Sequence, residues 1–180
     1  MNLQLDINLG KNYTSNSQII RVITESWVGN NMFCPNCGHV NLENYENNRK
    51  VADFYCQNCG FEYELKSKNG TPSNKINDGA YQTMIERLNS STNPSLFFLG
   101  YNKSYQVENL FVIPKYFFTP DIIEERKPLA DTARRAGWVG CNILYSKIPK
   151  IGIIEIVKNK KIETQENVLE KWNKTNFLNN

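Results

Sequence analysis

Histidine is almost missing from this 180-residue chain: His39 is the only one. Nucleophile–histidine–acid triads therefore have little support, since they need an imidazole beside the reacting group. Long apolar runs are missing too. The longest are Leu96–Leu99, Leu110–Ile113 and the broken run Ile151–Val157, far short of the roughly 20 residues a membrane-spanning helix needs. The amino terminus, MNLQLDINLG, has no basic stretch leading into an apolar one, so no secretory signal is read there. Charge of one sign is scarce: 21 Lys and Arg against 18 Asp and Glu leave a net +3. That balance permits nucleic-acid binding without the strongly basic signature of a dedicated binder. No repeat or low-complexity linker interrupts the chain. These absences predict a soluble, intracellular protein with no membrane partner, built on one core with at most a small added module.

What is present is cysteine in pairs. Cys34-x-x-Cys37 is followed, after eighteen residues, by Cys56-x-x-Cys59, the spacing of a zinc ribbon. Each Cys-x-x-Cys turn offers two thiolates to one ion, and two turns close a tetrahedron around Zn²⁺ with no position left open for chemistry. Pro35, Gly38 and Gly60 suit tight knuckles. In a reducing compartment such pairs read as metal ligands rather than disulfides. A redox dithiol, or four unrelated buried thiols, are the plainer alternatives. Cys141 has no partner and reads as a small core residue. His39 would be a fifth ligand and is left in a loop.

Periodicity predicts an α/β chain. Ser15 caps an amphipathic helix through Val28, with Ile19, Val22, Ile23 and Val28 on the buried face. Residues 33–48 read as an irregular, metal-held region. Two strands are predicted over 52–55 and 61–66, with Phe61, Tyr63 and Leu65 on one face and Glu62, Glu64 and Lys66 on the other. A helix is predicted over 76–88 from Ile76, Ala80, Met84, Ile85 and Leu88. SLFFLGY and VENLFVIP read as strands, the second ended by Pro114. A short helix is predicted at Thr119-Pro120-Asp121, a basic loop over 126–142, a strand at IGIIEIV and a closing helix over 164–176. The order suits a sheet with helices on its faces.

Asp53, ten residues, then Glu64-x-Lys66 is the second constellation. A hairpin can bring the two carboxylates together as a hard-oxygen site for Mg²⁺. Lys66 on the face of Glu64 can then orient or help deprotonate an attacking water and stabilise developing negative charge. By pattern alone, alternating charges on a strand are ordinarily a solvated face, and Glu62, Lys68 and Lys75 compete for the same role.

VADFYC, FEYELKSK, INDGAYQTM and above all RKPLADTARRAGWVGCNI resemble the catalytic domain of the DpnI-type, methyl-directed restriction endonucleases, over nearly the whole chain from about Ser15. The resemblance implies a PD-(D/E)xK restriction-endonuclease-like core, a central mixed sheet flanked by helices, with a zinc ribbon inserted at about 33–60. It implies Asp53 and Glu64 as Mg²⁺ ligands, joined by the carbonyl of Leu65, with Lys66 as the catalytic lysine. It assigns Cys34, Cys37, Cys56 and Cys59 to structural Zn²⁺. The activity implied is that of a type II site-specific deoxyribonuclease, cutting duplex DNA at GATC sites that carry N6-methyladenine, in the bacterial cytoplasm. One active site per chain further implies a monomer or a transient dimer on DNA.

A methyl group in the major groove offers no hydrogen bond, so its reader must be an apolar or aromatic surface. Trp138 is the candidate, with Arg134 and Arg135 beside it for phosphates or guanine edges. Without the resemblance, core packing of the indole and solvated arginines would be the ordinary reading. Family members typically continue into a winged-helix domain that also binds methylated DNA. No such domain is read in these 180 residues, which are taken as a single nuclease domain.

Overall fold

The computed structural model describes residues 1–45 and 52–178. Its elements run α1 (Asn16–Asn31), β1 (Glu43–Asn44), β2 (Phe54–Tyr55), β3 (Glu62–Asn69), β4 (Ile76–Ala80), α2 (Tyr81–Leu88), β5 (Ser95–Tyr101), β6 (Val107–Ile113), β7 (Ile123–Glu125), β8 (Gly140–Ile143), β9 (Ile154–Lys158), β10 (Lys161–Ile162) and α3 (Gln165–Asn173). A mixed sheet has the order β1-β2-β3-β5-β6-β9-β10, and a smaller one the order β4-β8-β7. In the large sheet β3 and β5 run parallel, while the other pairs are antiparallel. A parallel pair needs a crossover between its strands, and here β4 and α2 supply it.

Strand β5 is buried along its whole length, because both faces of the large sheet are covered. Phe97, Leu99 and Tyr101 join Leu110 and Val112 of β6 in a core closed by Ile23, Trp27 and Val28 of α1 and Val168 and Trp172 of α3. Leu96 and Phe98 join Phe111 and Ile113 in a second core, with Ile76, Met84, Ile123 and Ile143 from the small sheet and α2. In β3, Tyr63 is fully buried in the first core, and Leu65, with Phe61 just before the strand, packs against it. The predicted division of that strand into an apolar and a charged face therefore holds.

The expected helix over 76–88 divides. Ile76–Ala80 is strand β4, antiparallel to β8, and only Tyr81–Leu88 is helical. The i, i+4 spacing of Ile76 and Ala80 mimics a helix, but Asn77, Asp78 and Gly79 between them are poor helix formers, and pairing with a distant strand decides. The short helix at Thr119 is one 3₁₀ turn, Pro120–Ile122, running into β7. The basic loop gives way to β8 at Gly140. Ser15 does precede α1, but its hydroxyl bonds Ser17 rather than a helix amide. Thr164 caps α3, accepting from the Asn167 amide at 3.2 Å. Of the irregular region over 33–48 and the ribbon over 33–60, residues 46–51 lie outside the described residues; the rest carries β1 in the first and β1 and β2 in the second.

Candidate metal centres

Two tight turns of the same construction carry the four paired cysteines. In the first, the Gly38 amide donates to the Cys34 carbonyl at 2.8 Å and the Cys34 amide to the His39 carbonyl at 2.8 Å. In the second, Gly60 donates to Cys56 at 2.8 Å and Cys56 to Phe61 at 2.9 Å. Gly38 and Gly60 have φ of 77° and 73°, a left-handed conformation that costs glycine least. The turns face each other. Cys34 Sγ lies 3.6 Å from Cys59 Sγ, Cys37 Sγ lies 3.6 Å from Cys56 Sγ, and all four sulfurs lie within 4.8 Å of one another. A tetrahedron with Zn–S bonds near 2.3 Å has sulfurs about 3.8 Å apart, so the cage fits Zn²⁺.

The surroundings of the cage favour thiolates unevenly. The Cys37 thiol is pushed down to about 7: burial opposes ionisation, but hydrogen bonds from the Asn58 side chain (3.4 Å) and the His39 amide outweigh it. Cys34 moves up, chiefly through burial, and the Tyr63 hydroxyl lies 3.1 Å from its sulfur. Helix α3 leans on the first turn: Gln165 Nε2 donates to the Gly38 carbonyl at 2.9 Å and Trp172 Nε1 to Asn36 Oδ1 at 3.0 Å. His39 contributes its backbone here, in keeping with its place in a loop.

On the other face of β3 lies a cluster of carboxylates and cations. Antiparallel pairing of β2 with β3 sets Phe54 against Tyr63, so Asp53 comes alongside the strand, and the Leu65 amide donates to Asp53 Oδ2 at 2.7 Å. Asp53, Glu64, Leu65 and Lys66 line one cleft of about 560 Å³ with Arg21 and Glu25 of α1. Burial pushes the Asp53 carboxyl up to about 6, and the nearby Glu25 and Glu64 reinforce it. Against them stand the Leu65 amide and the Arg21 guanidinium, 3.9 Å from Oδ1. A half-buried carboxylate so thinly compensated, beside a second one, is a donor set that suits a hard divalent cation.

Lys66 Nζ lies 2.8 Å from Glu64 Oε1 and 2.6 Å from Asp78 Oδ1, and Arg87 Nη2 lies 3.0 Å from Glu64 Oε2. The four groups form a chain of alternating charge from β4 through β3 to α2. Burial works to strip the Lys66 proton, but Glu64 and Asp78 outweigh it and hold the ammonium firmly charged. Glu64, Lys66, Asp78 and Arg87 also line a smaller cavity of about 280 Å³. Sequence reasoning missed Asp78 and Arg87 in this role. The segment INDGAYQTM that carries Asp78 was part of the resemblance, but no local spacing ties either residue to Glu64-x-Lys66.

Arg134, Arg135 and Trp138 sit together in the loop between β7 and β8, away from the linings of both cavities. The loop closes on itself: Leu129 donates to the Trp138 carbonyl at 2.9 Å, Gly137 to the Leu129 carbonyl at 2.9 Å, and Arg126 to the Gly140 carbonyl at 2.9 Å. The Arg135 guanidinium lies 4.5 Å over the Trp138 ring, a cation–π contact. The half-buried indole covers Gly140 so closely that a Cβ there would lie 2.7 Å from the ring. Arg134 and Arg135 are exposed. Cys141 is buried as expected, its thiol pushed up to about 11, chiefly by burial. Among the described residues, no helix is long and apolar enough to cross a membrane.

A family model described as DpnI, Dam-replacing family, matches residues 1–180. The chain belongs to that family.

Proposed function

We propose that the chain is the catalytic domain of a Mg²⁺-dependent type II restriction endonuclease that hydrolyses duplex DNA at GATC sites bearing N6-methyladenine. Membership of the DpnI family supports methyl-directed restriction and DNA as the partner. The observation that carries the chemistry is the single cleft lined by Asp53, Glu64, Leu65 and Lys66. In this reading the protein is a PD-(D/E)xK nuclease of the bacterial cytoplasm, forming one nuclease domain and acting as a monomer or transient dimer.

Asp53, Glu64 and the Leu65 carbonyl would hold the catalytic ion. When bound, Mg²⁺ supplies a more acidic water and offsets charge on the phosphate. The protein's own groups do the rest. Lys66 stays an ammonium between its carboxylates, so its part is to orient the attacking water and stabilise charge developing on the phosphate oxygens, not to take a proton. Water oxygen bonds to phosphorus and gives up its proton to bulk solvent, the phosphorus–oxygen bond to the leaving sugar breaks, and that sugar oxygen takes up a proton from solvent. Zn²⁺ held by Cys34, Cys37, Cys56 and Cys59 would brace the hairpin of β2 and β3, and would supply no chemistry to the reaction.

Trp138 reads the methyl group, and Arg134 and Arg135 hold phosphate or guanine edges. A methyl contributes apolar contact alone, and the loop around Trp138 is tied to itself by backbone hydrogen bonds, which preorganises such a surface. The test is incubation of methylated and unmethylated plasmid with the protein and Mg²⁺, beside a Glu64→Ala control. Cleavage confined to methylated plasmid and lost in the control is the expected result. Equal cleavage of both plasmids would remove the methyl-directed reading. Binding without cleavage by folded, metal-supplied protein would favour a zinc-ribbon DNA-binding module instead.

A further inference from the structure

We propose that Asp78 is a positioning residue that takes over the Lys66 ammonium when a divalent cation claims Glu64. The inference rests on the reading of Glu64 as a metal ligand, and it starts from an imbalance between the two carboxylates that hold Lys66. Both oxygens of Glu64 face cations, Lys66 at Oε1 and Arg87 at Oε2. A metal ion approaching Glu64 meets a carboxylate already compensated, and Lys66 must give up one contact for it to bind. The Lys66 side chain is only a quarter exposed, and an ammonium removed from one buried partner needs another.

Asp78 is built to provide it. Its side chain is 3% exposed. Oδ1 holds Lys66 at 2.6 Å and accepts from the Gly79 amide at 2.6 Å. Oδ2 is buried with no hydrogen-bond partner. A buried carboxylate oxygen left without a donor is costly unless something comes to it. The cavity of about 280 Å³ that Asp78 shares with Glu64, Lys66, Thr83 and Arg87 gives the ammonium room to move. The aim of the side chain is set by the fold. β4 faces β8 with Asp78 opposite Cys141 and Ala80 opposite Gly140, so the register slips at Gly79. Such a bulge re-aims the neighbouring side chain, here toward Lys66. Open space around Gly79 lets the backbone bend.

With the cation on Glu64, Lys66 sits on both oxygens of Asp78, its charge fixed beside the reacting phosphate. Without Asp78, Lys66 stays on Glu64 and competes with the cation. The experiment measures binding of Mn²⁺ by its paramagnetic resonance signal, without DNA, in wild type, Asp78→Asn, Lys66→Met and the double variant, with folding checked by thermal melting. Cleavage is then followed against Mg²⁺ concentration. Asp78→Asn is expected to weaken Mn²⁺ binding about tenfold, the low end of what loss of a residue behind the metal ligands costs. It is expected to lower kcat at saturating Mg²⁺ with KM for DNA unchanged.

In the Lys66→Met background, where there is no ammonium to hand over, Asp78→Asn should change Mn²⁺ binding by less than about twofold, the non-additivity of coupled sites. That arm keeps the test decisive if the single Asp78 variant melts early. An equal loss in both backgrounds means that Asp78 acts on the cation directly and overturns the handover. Unchanged Mn²⁺ binding in the single variant overturns it as well. The underlying reading fails separately: Glu64→Ala would then keep wild-type Mn²⁺ binding and cleavage.

Discussion

Tyr63 and Glu64 are neighbours in the chain, yet they serve two sites of opposite character. Tyr63 turns its hydroxyl to the sulfur of Cys34, in a cage whose ligands sit on two turns of one design, each closed by its own backbone hydrogen bonds. Glu64 turns the other way, to Lys66 and Arg87. There the charged groups come from β3, β4 and α2 and from the chain just before β2, and no local turn holds them together. Alternation along one strand makes both possible. The contrast teaches that a locally framed site can secure the fold, whereas a site assembled from distant elements can hold charges in arrangements that cost stability and serve chemistry.

The largest effect should come from breaking the cage. Structural Zn²⁺ binds with apparent free energies of about 10 kcal/mol or more, comparable with the whole stability of a domain of this size. Chelation, or Cys34→Ser, should abolish cooperative melting followed by circular dichroism. An unchanged melt after verified metal loss would show that the cage is not structural. The carboxylate site should behave oppositely. Glu64→Ala should cost about a thousandfold in cleavage rate, as loss of a transition-state contact does, while melting moves by a few degrees at most. A collapse of the fold in that variant would erase the distinction between the two sites.

A third effect is smaller and depends on pH. Asp53 has its folded pKa raised from 3.8 to about 6, so the folded form holds this proton more tightly than the unfolded chain. Below both values the residue is neutral in either state and costs nothing. As pH rises from about 4 to 6 its ionisation progressively destabilises the fold, by up to about 3 kcal/mol above that window and less where solvent reaches the side chain. Asp53→Asn should therefore melt increasingly above wild type as pH climbs through the window, and Mg²⁺ should narrow the gap by stabilising the carboxylate of the wild type. A constant difference between the two proteins from pH 4 to 7 would show that burial of this charge is not costly. The smallest effect separates reading from cutting. Trp138→Ala should lower the preference for methylated over unmethylated plasmid about tenfold, the scale of one apolar group. An unchanged preference would move methyl recognition elsewhere.

Much of this contrast was legible in the sequence where it was local. The Cys-x-x-Cys spacing announced the cage, and its two turns close as Gly38 and Gly60 indicated. The alternation of Tyr63 and Leu65 with Glu64 and Lys66 announced the two faces of β3. Strands β5 and β6 and helix α1 followed from apolar patterning. What stayed hidden depends on long-range pairing. Ile76 and Ala80 imitate a helix until β8 claims them, and only that pairing brings Asp78 to Lys66. Arg87 lies 3.0 Å from Glu64 across a separation of 23 residues, with nothing between them to mark the contact. Lys75, which competes with Lys66 by charge pattern alone, is paired with Glu124 at 2.7 Å.

The chain's three tryptophans divide themselves among its working parts. Trp27 is buried on α1, donating to the Asn2 carbonyl at 2.7 Å. Trp138 stands half-buried under a guanidinium. Trp172, fully buried, bonds Asn36 inside the first cysteine turn. The molecule thus carries an optical label in each region. With the other two replaced by Phe, emission from Trp172 reports the knuckle it is tied to, and emission from Trp138 the occupancy of its loop. On the proposed reading, loss of zinc and arrival of DNA would then be watched as separate colour changes in one protein.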